Sequence, residues 1–212
     1  MGEDARTLIA RRAAQELVPG QVVNLGVGIP NLIPKFLGAG SGVHIQTENS
    51  LLGVGPPPRP HEVDEDLIDA AKQPVTALAG AAYFDSAESF AMIRGGRIDV
   101  AVLGALQVSE RGDIANWAVP GRNILGVGGA MDLVVGARKV IVTMTAQTTA
   151  GEPKVVSGCT YPLTATAAAG LVITELGVLA VREGRLVLTE LLGGAAVKDV
   201  RRATGAPFSV DL

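Results

Sequence analysis

One acidic residue, Glu48, stands out as a candidate for chemistry. It lies in residues 47–55, Thr-Glu-Asn-Ser-Leu-Leu-Gly-Val-Gly, at the end of a predicted strand in an apolar and glycine-rich setting. Most other acids fall on polar faces or in charged clusters such as residues 62–66, where hydration accounts for them. Open α/β sheets bind ligands beyond the carboxyl ends of their strands, so a carboxylate on such a turn stands where a site is expected. Glu48 is therefore a candidate catalytic carboxylate, and a turn cap or an ion-pair partner is the alternative interpretation.

The other common site types are incomplete in this sequence. No glycine cluster completes the G-x-G-x-x-G dinucleotide fingerprint, and the chain has neither a G-x-x-x-x-G-K-[ST] phosphate loop nor a G-x-S-x-G nucleophile elbow. The two histidines, His44 and His61, and the single cysteine, Cys159, have no zinc-ligand spacing. We therefore expect solvated or structural histidines, a small buried cysteine and no metal site.

Composition excludes several classes of protein. The 212 residues include 18 Lys plus Arg against 21 Asp plus Glu and only 3% aromatic residues, so little basic or stacking surface is left for nucleic acid. Neither a linker nor an internal repeat divides the chain, which predicts one domain over residues 1–212. The acidic N-terminus lacks an apolar signal core, and the uncharged run 155–174 is too polar for hydrocarbon. We expect a cytoplasmic protein without a membrane segment.

Strands and helices alternate along most of the chain. Helices are predicted at residues 7–17, 31–37, 62–72, 86–94, 131–137 and 197–204, and strands at 22–25, 43–46, 75–78, 98–103, 139–144, 154–156, 171–174, 178–181 and 186–188. Near-continuous apolar runs such as 98–103 suit strands that are covered on both faces. The alternation predicts an open α/β sheet of mostly parallel strands, with a mixed or antiparallel extension near the C-terminus.

Several longer motifs follow one another along the chain. They are residues 24–30 (Asn-Leu-Gly-Val-Gly-Ile-Pro), the Glu48 segment with Pro56 and Arg59 after it, and residues 89–96 (Ser-Phe-Ala-Met-Ile-Arg-Gly-Gly), 103–105 (Leu-Gly-Ala), 115–117 (Ala-Asn-Trp) and 128–134 (Gly-Gly-Ala-Met-Asp-Leu-Val). In this order they resemble the B (β) subunit of the class I CoA-transferases of 3-oxoacids. The resemblance covers nearly the whole chain and implies that family's open three-layer α/β/α fold.

The resemblance also implies a mechanism. In that family the glutamate of an S-E-N-G signature is the nucleophile, and Glu48 occupies its place. Its carboxylate would attack an acyl-CoA to form a mixed anhydride, which the released CoA thiolate converts to a glutamyl-CoA thioester. A carboxylate is already ionised near pH 7, so no general base is required. CoA enters as a substrate, and no permanently bound cofactor or metal is implied.

Further site residues follow from the same resemblance. Gly128 and Gly129 match glycines whose backbone amides would stabilise an oxyanion. The residues implied for binding CoA or the substrate are Asn24, Gly26, Gly28, Asn49, Lys72 and Asn116. Alternatively, Lys72 is a solvated residue at a helix end, and Gly26 and Gly28 form a simple turn between strand and helix. The implied partner is an A (α) subunit in an α2β2 complex acting on an acyl-CoA and a small, 3-oxo carboxylic acid.

Two departures from the family pattern leave alternatives open. Ser50 replaces the glycine after Glu-Asn, and a serine there costs on the order of 1 kcal/mol if the position needs a positive φ. After Met144 the family usually has Glu-His and later Lys, whereas this chain has Thr145, Ala146 and three further uncharged residues. These changes keep open an acyl-CoA hydrolase, an acyl-transfer or cyclising enzyme, and a non-catalytic subunit with a structural Glu48.

Overall fold

A computed structural model describes residues 4–38, 40–121 and 126–212. Within these ranges the α-helices are α1 (Ala5–Ala14), α2 (Ser86–Arg94), α3 (Ala130–Gly136) and α4 (Val197–Ala203), and a 3₁₀ helix spans Pro30–Phe36. The strands are β1 (Val22–Leu25), β2 (His44–Thr47), β3 (Leu51–Val54), β4 (Ala77–Tyr83), β5 (Val100–Gly104), β6 (Gln107–Ser109), β7 (Ile114–Ala115), β8 (Lys139–Thr143), β9 (Val155–Val156), β10 (Leu171–Ile173), β11 (Gly177–Arg182), β12 (Arg185–Leu191) and β13 (Phe208–Val210).

Ten strands form one large sheet in the order β13-β12-β11-β10-β8-β5-β1-β2-β3-β4. Its centre, β10-β8-β5-β1-β2, is parallel throughout. Antiparallel pairs extend it on both sides, through β11 and β12 at one end and through β3 and β4 at the other. The mostly parallel sheet with mixed C-terminal strands is thus confirmed. The antiparallel β3 was not predicted, and the strand predicted at 75–78 overlaps only the start of the antiparallel β4.

Helices cover both faces of the sheet, which gives the three layers that the sequence predicts. On one face α1 and the 3₁₀ helix bury Ile9 and Ile33 against the strands. On the other face α2 and α3 bury Ile93 and Leu133, and α4 adds Val200 to the same apolar cluster. The central strands are buried on both sides, which explains their continuous apolar runs.

The first helix is fixed at its start and along its side. The Asp4 carboxylate accepts hydrogen bonds from the amides of Arg6 and Thr7, as an N-cap does. Farther along, Arg12 pairs with Glu16 at 2.9 Å and with Glu190 of β12 at 2.7 Å. Lys139 of β8 also pairs with Glu16, at 2.6 Å. These contacts join α1 to two strands of the sheet.

The helix predicted at residues 62–72 is wrong. The chain there forms turns, with a single β-bridge between Ile68 and Pro74. The Asp64 carboxylate accepts from the amide of Asp66, and the Asp69 carboxylate accepts from the amides of Ala71 and Gln73. Such local side-chain bonds compete with the helical backbone pattern.

Other predicted elements differ in smaller ways. Residues 31–37 form a 3₁₀ helix rather than an α-helix, because Pro34 inside the segment cannot donate to the helical ladder. The short strands β6, β7 and β13 were also not predicted, and β6 joins β7 and β9 in a separate three-stranded sheet. No helix among the described residues is long and apolar enough to cross a bilayer. The division into one domain stays a prediction.

Candidate active site

The carboxylate of Glu48 lies at the edge of the sheet where the parallel strands end. Glu48 follows β2 directly, in a three-residue loop that connects β2 to the antiparallel strand β3. The strands β1, β5, β8 and β10 run parallel to β2, so their carboxyl ends share this edge. The side chain of Glu48 is partly buried. Its position is the one at which an open α/β sheet offers a ligand site.

The loop that carries Glu48 has a strained backbone. The Ser50 amide donates to the Thr47 carbonyl at 3.0 Å, which closes a four-residue turn around Glu48. Ser50 has φ of 100°, in the left-handed region that favours glycine. The position after Glu-Asn therefore does need a positive φ, and the Cβ of Ser50 is costly there.

A buried amide holds the Glu48 carboxylate from the neighbouring strand. Asn24 of β1 is 0% exposed, and its Nδ2 lies 3.2 Å from Oε2 of Glu48 and 2.7 Å from Oε1 of Gln46. Gln46 in turn donates from Nε2 to the hydroxyl of Ser89 on α2 at 2.9 Å. A series of hydrogen bonds therefore runs from Ser89 on α2 through Gln46 and Asn24 to the Glu48 carboxylate. Buried polar side chains that are paired in this way hold one another rigidly.

Two oxygen atoms beside this chain of hydrogen bonds lack partners. Within the described part of the molecule, Oδ1 of Asn24 and Oγ1 of Thr47 are buried and accept or donate no hydrogen bond. A buried polar atom without a partner costs about 1–3 kcal/mol, so it is rarely retained without a reason. The unpaired oxygen of Asn24 belongs to the same amide whose nitrogen, Nδ2, contacts Glu48.

Gly129 brings the backbone before α3 close to Glu48. A methyl group on Gly129 would lie 3.6 Å from Cγ of Glu48 and 3.0 Å from Cζ of Phe90, so a larger residue would crowd both side chains. Gly128 has φ of 58°, which also favours glycine. The structure thus brings Asn24, Glu48 and Gly129 together.

Asn49 and Lys72 lie on the segments that flank the Glu48 loop. Asn49 donates from Nδ2 to the carbonyl of Ile68 at 2.8 Å and so ties the loop to the turns of residues 64–74. Lys72 has φ of 61° and donates its amide to the carbonyl of Asp69. No helix ends at Lys72, because the residue lies in a left-handed turn, but Lys72 is exposed, as its solvated alternative expects.

The remaining predicted residues lie farther from the carboxylate. Gly26 packs against β5, where a methyl group would lie 2.9 Å from the Leu103 side chain. Gly28 has φ of 98° and borders a pocket of about 290 Å³ at the same sheet edge. Asn116 accepts from the hydroxyl of Thr164 at 2.7 Å, and no contact joins it to Glu48 in the part of the chain that the structure describes.

A larger cavity of about 640 Å³ lies between the 3₁₀ helix and the proline-rich residues 56–60. Thr47 and Gln46 line it, next to the loop that carries Glu48. Its other lining residues include Leu25 and Val75, so most of the wall is apolar. A volume of this size is in the usual range for small-molecule sites.

The thiol and imidazole groups stay outside the site. Both histidines are exposed, in agreement with solvated roles. Cys159 is half-buried; burial, together with the charge of Asp113, raises the pKa of its thiol to about 11. Across residues 4–38, 40–121 and 126–212, no group of three or more His, Cys, Asp or Glu side chains is arranged to hold a metal ion.

Residues 6–203 match the family model of the coenzyme A transferases. This chain belongs to the coenzyme A transferase family. The B subunit of a probable succinyl-CoA:3-ketoacid coenzyme A transferase from Bacillus subtilis is 48% identical over 98% of this CoA-transferase chain and 96% of its own length. The β subunit of the acetate CoA-transferase of Escherichia coli is also 48% identical, over 98% of this chain and 94% of its own length.

A solved structure shares the fold of this CoA-transferase chain. The crystal structure of an acyl-CoA transferase apoenzyme from Escherichia coli O157:H7 superposes with a TM-score of 0.77 at 22% identity. The superposition covers 99% of this chain but only 43% of that one. The relative therefore carries, in the rest of its single chain, a portion for which this chain has no counterpart.

Sequence patterns alone missed three residues around the carboxylate: Gln46 and Ser89, which link to it through hydrogen bonds, and Phe90, which lies beside Gly129. Gln46 had a usable signal, because it precedes Glu48 by two residues and so points to the same face of the strand. Ser89 and Phe90 occur in a motif that the resemblance includes, but nothing in that motif indicates that Ser89 bonds to Gln46 or that Phe90 lies beside Gly129. Their contacts depend on how α2 packs across the sheet.

Proposed function

We propose that this chain is the B (β) subunit of a two-chain CoA-transferase that moves CoA between an acyl-CoA and a carboxylic acid through a glutamyl-CoA thioester on Glu48. The observation that carries the proposal is the convergence of Glu48, the Asn24 amide and the Gly129 backbone at the strand ends. The 48% identity to chains named as CoA-transferase subunits supports it independently.

The proposed chemistry begins at the Glu48 carboxylate. One of its oxygens attacks the carbonyl carbon of the acyl-CoA, the carbon–sulfur bond breaks, and CoA leaves as a thiolate. The thiolate then attacks the glutamyl carbonyl of the mixed anhydride and releases the first acid as its carboxylate. A second acid attacks the glutamyl-CoA thioester and the steps run in reverse, so no proton, electron or water is consumed overall.

The neighbours of Glu48 suit this sequence of steps. The Asn24 amide would hold one carboxylate oxygen and leave the other free to attack, because a single hydrogen bond from Nδ2 contacts only Oε2. Each tetrahedral intermediate places a negative charge on a former carbonyl oxygen. The backbone amides of Gly128 and Gly129 would donate to that oxyanion, a contribution typically worth about 3 kcal/mol per donor.

The other predicted residues are proposed to bind CoA or the acid. Lys72 would contact a CoA phosphate, and Asn49 would fix the Glu48 loop through its bond to the Ile68 carbonyl. Gly26 and Gly28 would let the substrate approach the backbone closely, and Asn116 would contribute from the far side of the site. The cavity beside Thr47 offers apolar wall for an acyl or pantetheine segment.

The partner is proposed to be an A (α) subunit that completes the site. The subunit names of the relatives support a two-chain enzyme, and the single-chain relative, of which 43% is covered, supports a second half of similar size. We propose an α2β2 assembly in the cytoplasm. A 3-oxo acid is the proposed acceptor, although relatives of equal identity are named for 3-ketoacid and for acetate.

The deciding experiment is intact-mass analysis of this chain, copurified with its α subunit and incubated with acetoacetyl-CoA, succinyl-CoA or acetyl-CoA. We expect an adduct of CoA mass that peptide mapping assigns to Glu48 and that a second carboxylic acid discharges as a new acyl-CoA. The E48Q variant is the matched control, because it keeps the shape of the side chain and removes the nucleophile.

Other results would contradict the proposal. Consumption of the thioester with release of free acid, and no adduct on Glu48, would favour the hydrolase that the Ser50 and Thr145 departures keep open. Equal activity of the wild type and E48Q would show that Glu48 is structural. Failure of the two-chain complex to form an adduct with every acyl-CoA would favour a non-catalytic role for this chain.

A further inference from the structure

A second pocket lies at the same edge of the sheet, on the side of α1. Its volume is about 290 Å³. The ends of three parallel strands line it, with Gly28 after β1, Gly104 of β5 and Thr143 of β8. Two cationic side chains, Arg6 of α1 and Lys154, complete the wall. Nothing in the proposed chemistry of Glu48 uses these cations.

Thr143 lines this pocket, and its side chain is buried. The residue is 1% exposed, and its hydroxyl makes no hydrogen bond within the described part of the molecule. It stands in a strand whose other residues are apolar or at the strand start, so the hydroxyl has no packing role that valine would not fill. An unpaired buried hydroxyl calls for a physical explanation, and a ligand group that enters from the pocket would supply one.

The residues that line the pocket include two cations and no carboxylate, and the nearest carboxylates are Glu175 beside Lys154 and Asp4 beside Arg6. Lys154 is partly buried and donates from Nζ to the Thr145 hydroxyl at 3.2 Å, which uses one of its three donors. Burial lowers the pKa of the Lys154 ammonium, and the charge of Glu175 opposes that shift only in part. The Glu175 carboxylate also accepts from the amide of Ala146. An additional anion would offset the cost of burying the ammonium.

Arg6 adds a second cation that is available to a ligand. Its guanidinium donates no hydrogen bond to any residue in ranges 4–38, 40–121 and 126–212, and its side chain is exposed at the pocket mouth. A guanidinium with free donors presents them in a planar fork that matches a carboxylate or a phosphate. The pocket therefore combines two cations with a buried, unsatisfied hydroxyl.

We propose that this pocket is an oxyanion-binding subsite, in which Lys154, Arg6 and the Thr143 hydroxyl bind a carboxylate or phosphate group carried by a substrate. The link to a substrate rests on the proposed function, but the binding of an oxyanion does not. Thr145 stands where the family usually has a glutamate. No carboxylate at that position therefore pairs with Lys154.

The geometry allows two sources for the oxyanion. Gly28 is one strand from Glu48, whereas Thr143 of β8 is three strands from it, which corresponds to about 5 Å and about 14 Å at usual strand spacing. The near end of the pocket is within reach of the second carboxylate of a small diacid. The far end is within reach of a phosphate on the other end of a pantetheine arm.

Calorimetric titration of the full chain, alone and with its α subunit, tests the subsite with inorganic phosphate and with succinate as probes. We expect saturable binding that K154M weakens at least tenfold, as loss of a charged hydrogen-bond donor does. K154R should retain it, and T143V should weaken it about fivefold. The matched control is K198M, which removes an exposed lysine of α4 outside the pocket.

T145E offers a second way to test the pocket with Lys154 in place. A carboxylate at this position would pair with the ammonium, so phosphate and succinate binding should fall as in K154M. This variant keeps the inference testable if K154M does not fold. Binding of both probes that is equal in wild type, K154M and T145E, or that K198M weakens to the same degree, would overturn the subsite.

The source of the oxyanion follows from substrate pairs. A rise in KM that K154M causes for an acyl-CoA but not for the acyl-pantetheine would assign the phosphate, and a rise for succinate but not for acetate would assign the carboxylate. The Glu48 adduct is measured in the same samples. Lys154-dependent binding without an adduct in wild type would refute the proposed function alone, whereas an adduct without Lys154-dependent binding would refute the subsite alone.

Discussion

Replacing Ser50 by glycine should stabilise the protein. A residue with a Cβ costs about 1–2 kcal/mol in the left-handed region, and Ser50 lies there with φ of 100°. Glycine loses more conformational freedom on folding, which takes back about 0.5–1 kcal/mol. The net expectation for S50G is a gain of about 0.5–1 kcal/mol in the free energy of unfolding. For a chain of this length that gain corresponds to a rise of about 1–4 °C in Tm.

Urea denaturation of S50G and S50A separates the two parts of the serine side chain. S50A keeps the Cβ and removes the hydroxyl, so it should show no gain, whereas S50G should show a higher midpoint with an unchanged slope. No hydrogen bond to the Ser50 hydroxyl occurs among the described residues, so its loss should cost little. Equal stability of S50G and S50A, or a loss in S50G, would refute the assignment of strain to the Cβ.

Three further variants test other parts of the structure. N24A should lower the free energy of unfolding by about 1–3 kcal/mol, because it leaves the Gln46 amide oxygen buried and unpaired. It should also slow formation of the Glu48 adduct. An unchanged urea denaturation curve would contradict the first expectation. T143V should raise the unfolding free energy by about 1 kcal/mol in the absence of ligand, and a loss would contradict an unsatisfied hydroxyl. Burial would raise the pKa of Glu16, but its bonds to Lys139 and Arg12 outweigh burial and lower it below 4.5. The stability from Glu16 is therefore present above pH 4.5 and lost as pH falls through the lowered value, so the difference between wild type and E16Q should shrink in acid unfolding curves.

The central sheet and the place of Glu48 could be predicted from the sequence for a physical reason. Strands such as β5 and β8 are buried on both faces, so most of their residues are apolar and the runs stand out in the sequence. Glu48 follows the neighbouring strand β2 as a charged group at its end, and strand ends are where open sheets bind ligands. The family resemblance adds the identity of the chemistry, which periodicity does not contain.

The parts of the structure that the sequence did not predict share a different physical cause. The acidic segment 62–72 contains helix-compatible residues, but its Asp side chains bond to nearby amides, and that competition depends on conformation rather than on composition. The strand β3 begins one residue after the strained Ser50, so its register depends on a turn that sequence preferences disfavour. The contact of Phe90 with Gly129 likewise arises only when α2 and α3 pack together.

The outer strand β4 has a practical consequence for producing this protein. Its seven residues, Ala-Leu-Ala-Gly-Ala-Ala-Tyr, carry no charge and are mostly exposed, with Leu78 at 48% and Tyr83 at 65%. Unpaired edge strands of this kind recruit other strands, and the usual safeguards are charged residues, prolines and bulges. β4 has no charge and no proline, and it carries the positive φ of Gly80 and a register shift in its pairing with β3. This chain, expressed by itself, should therefore self-associate at high concentration. A lysine at an exposed β4 position should reduce that association.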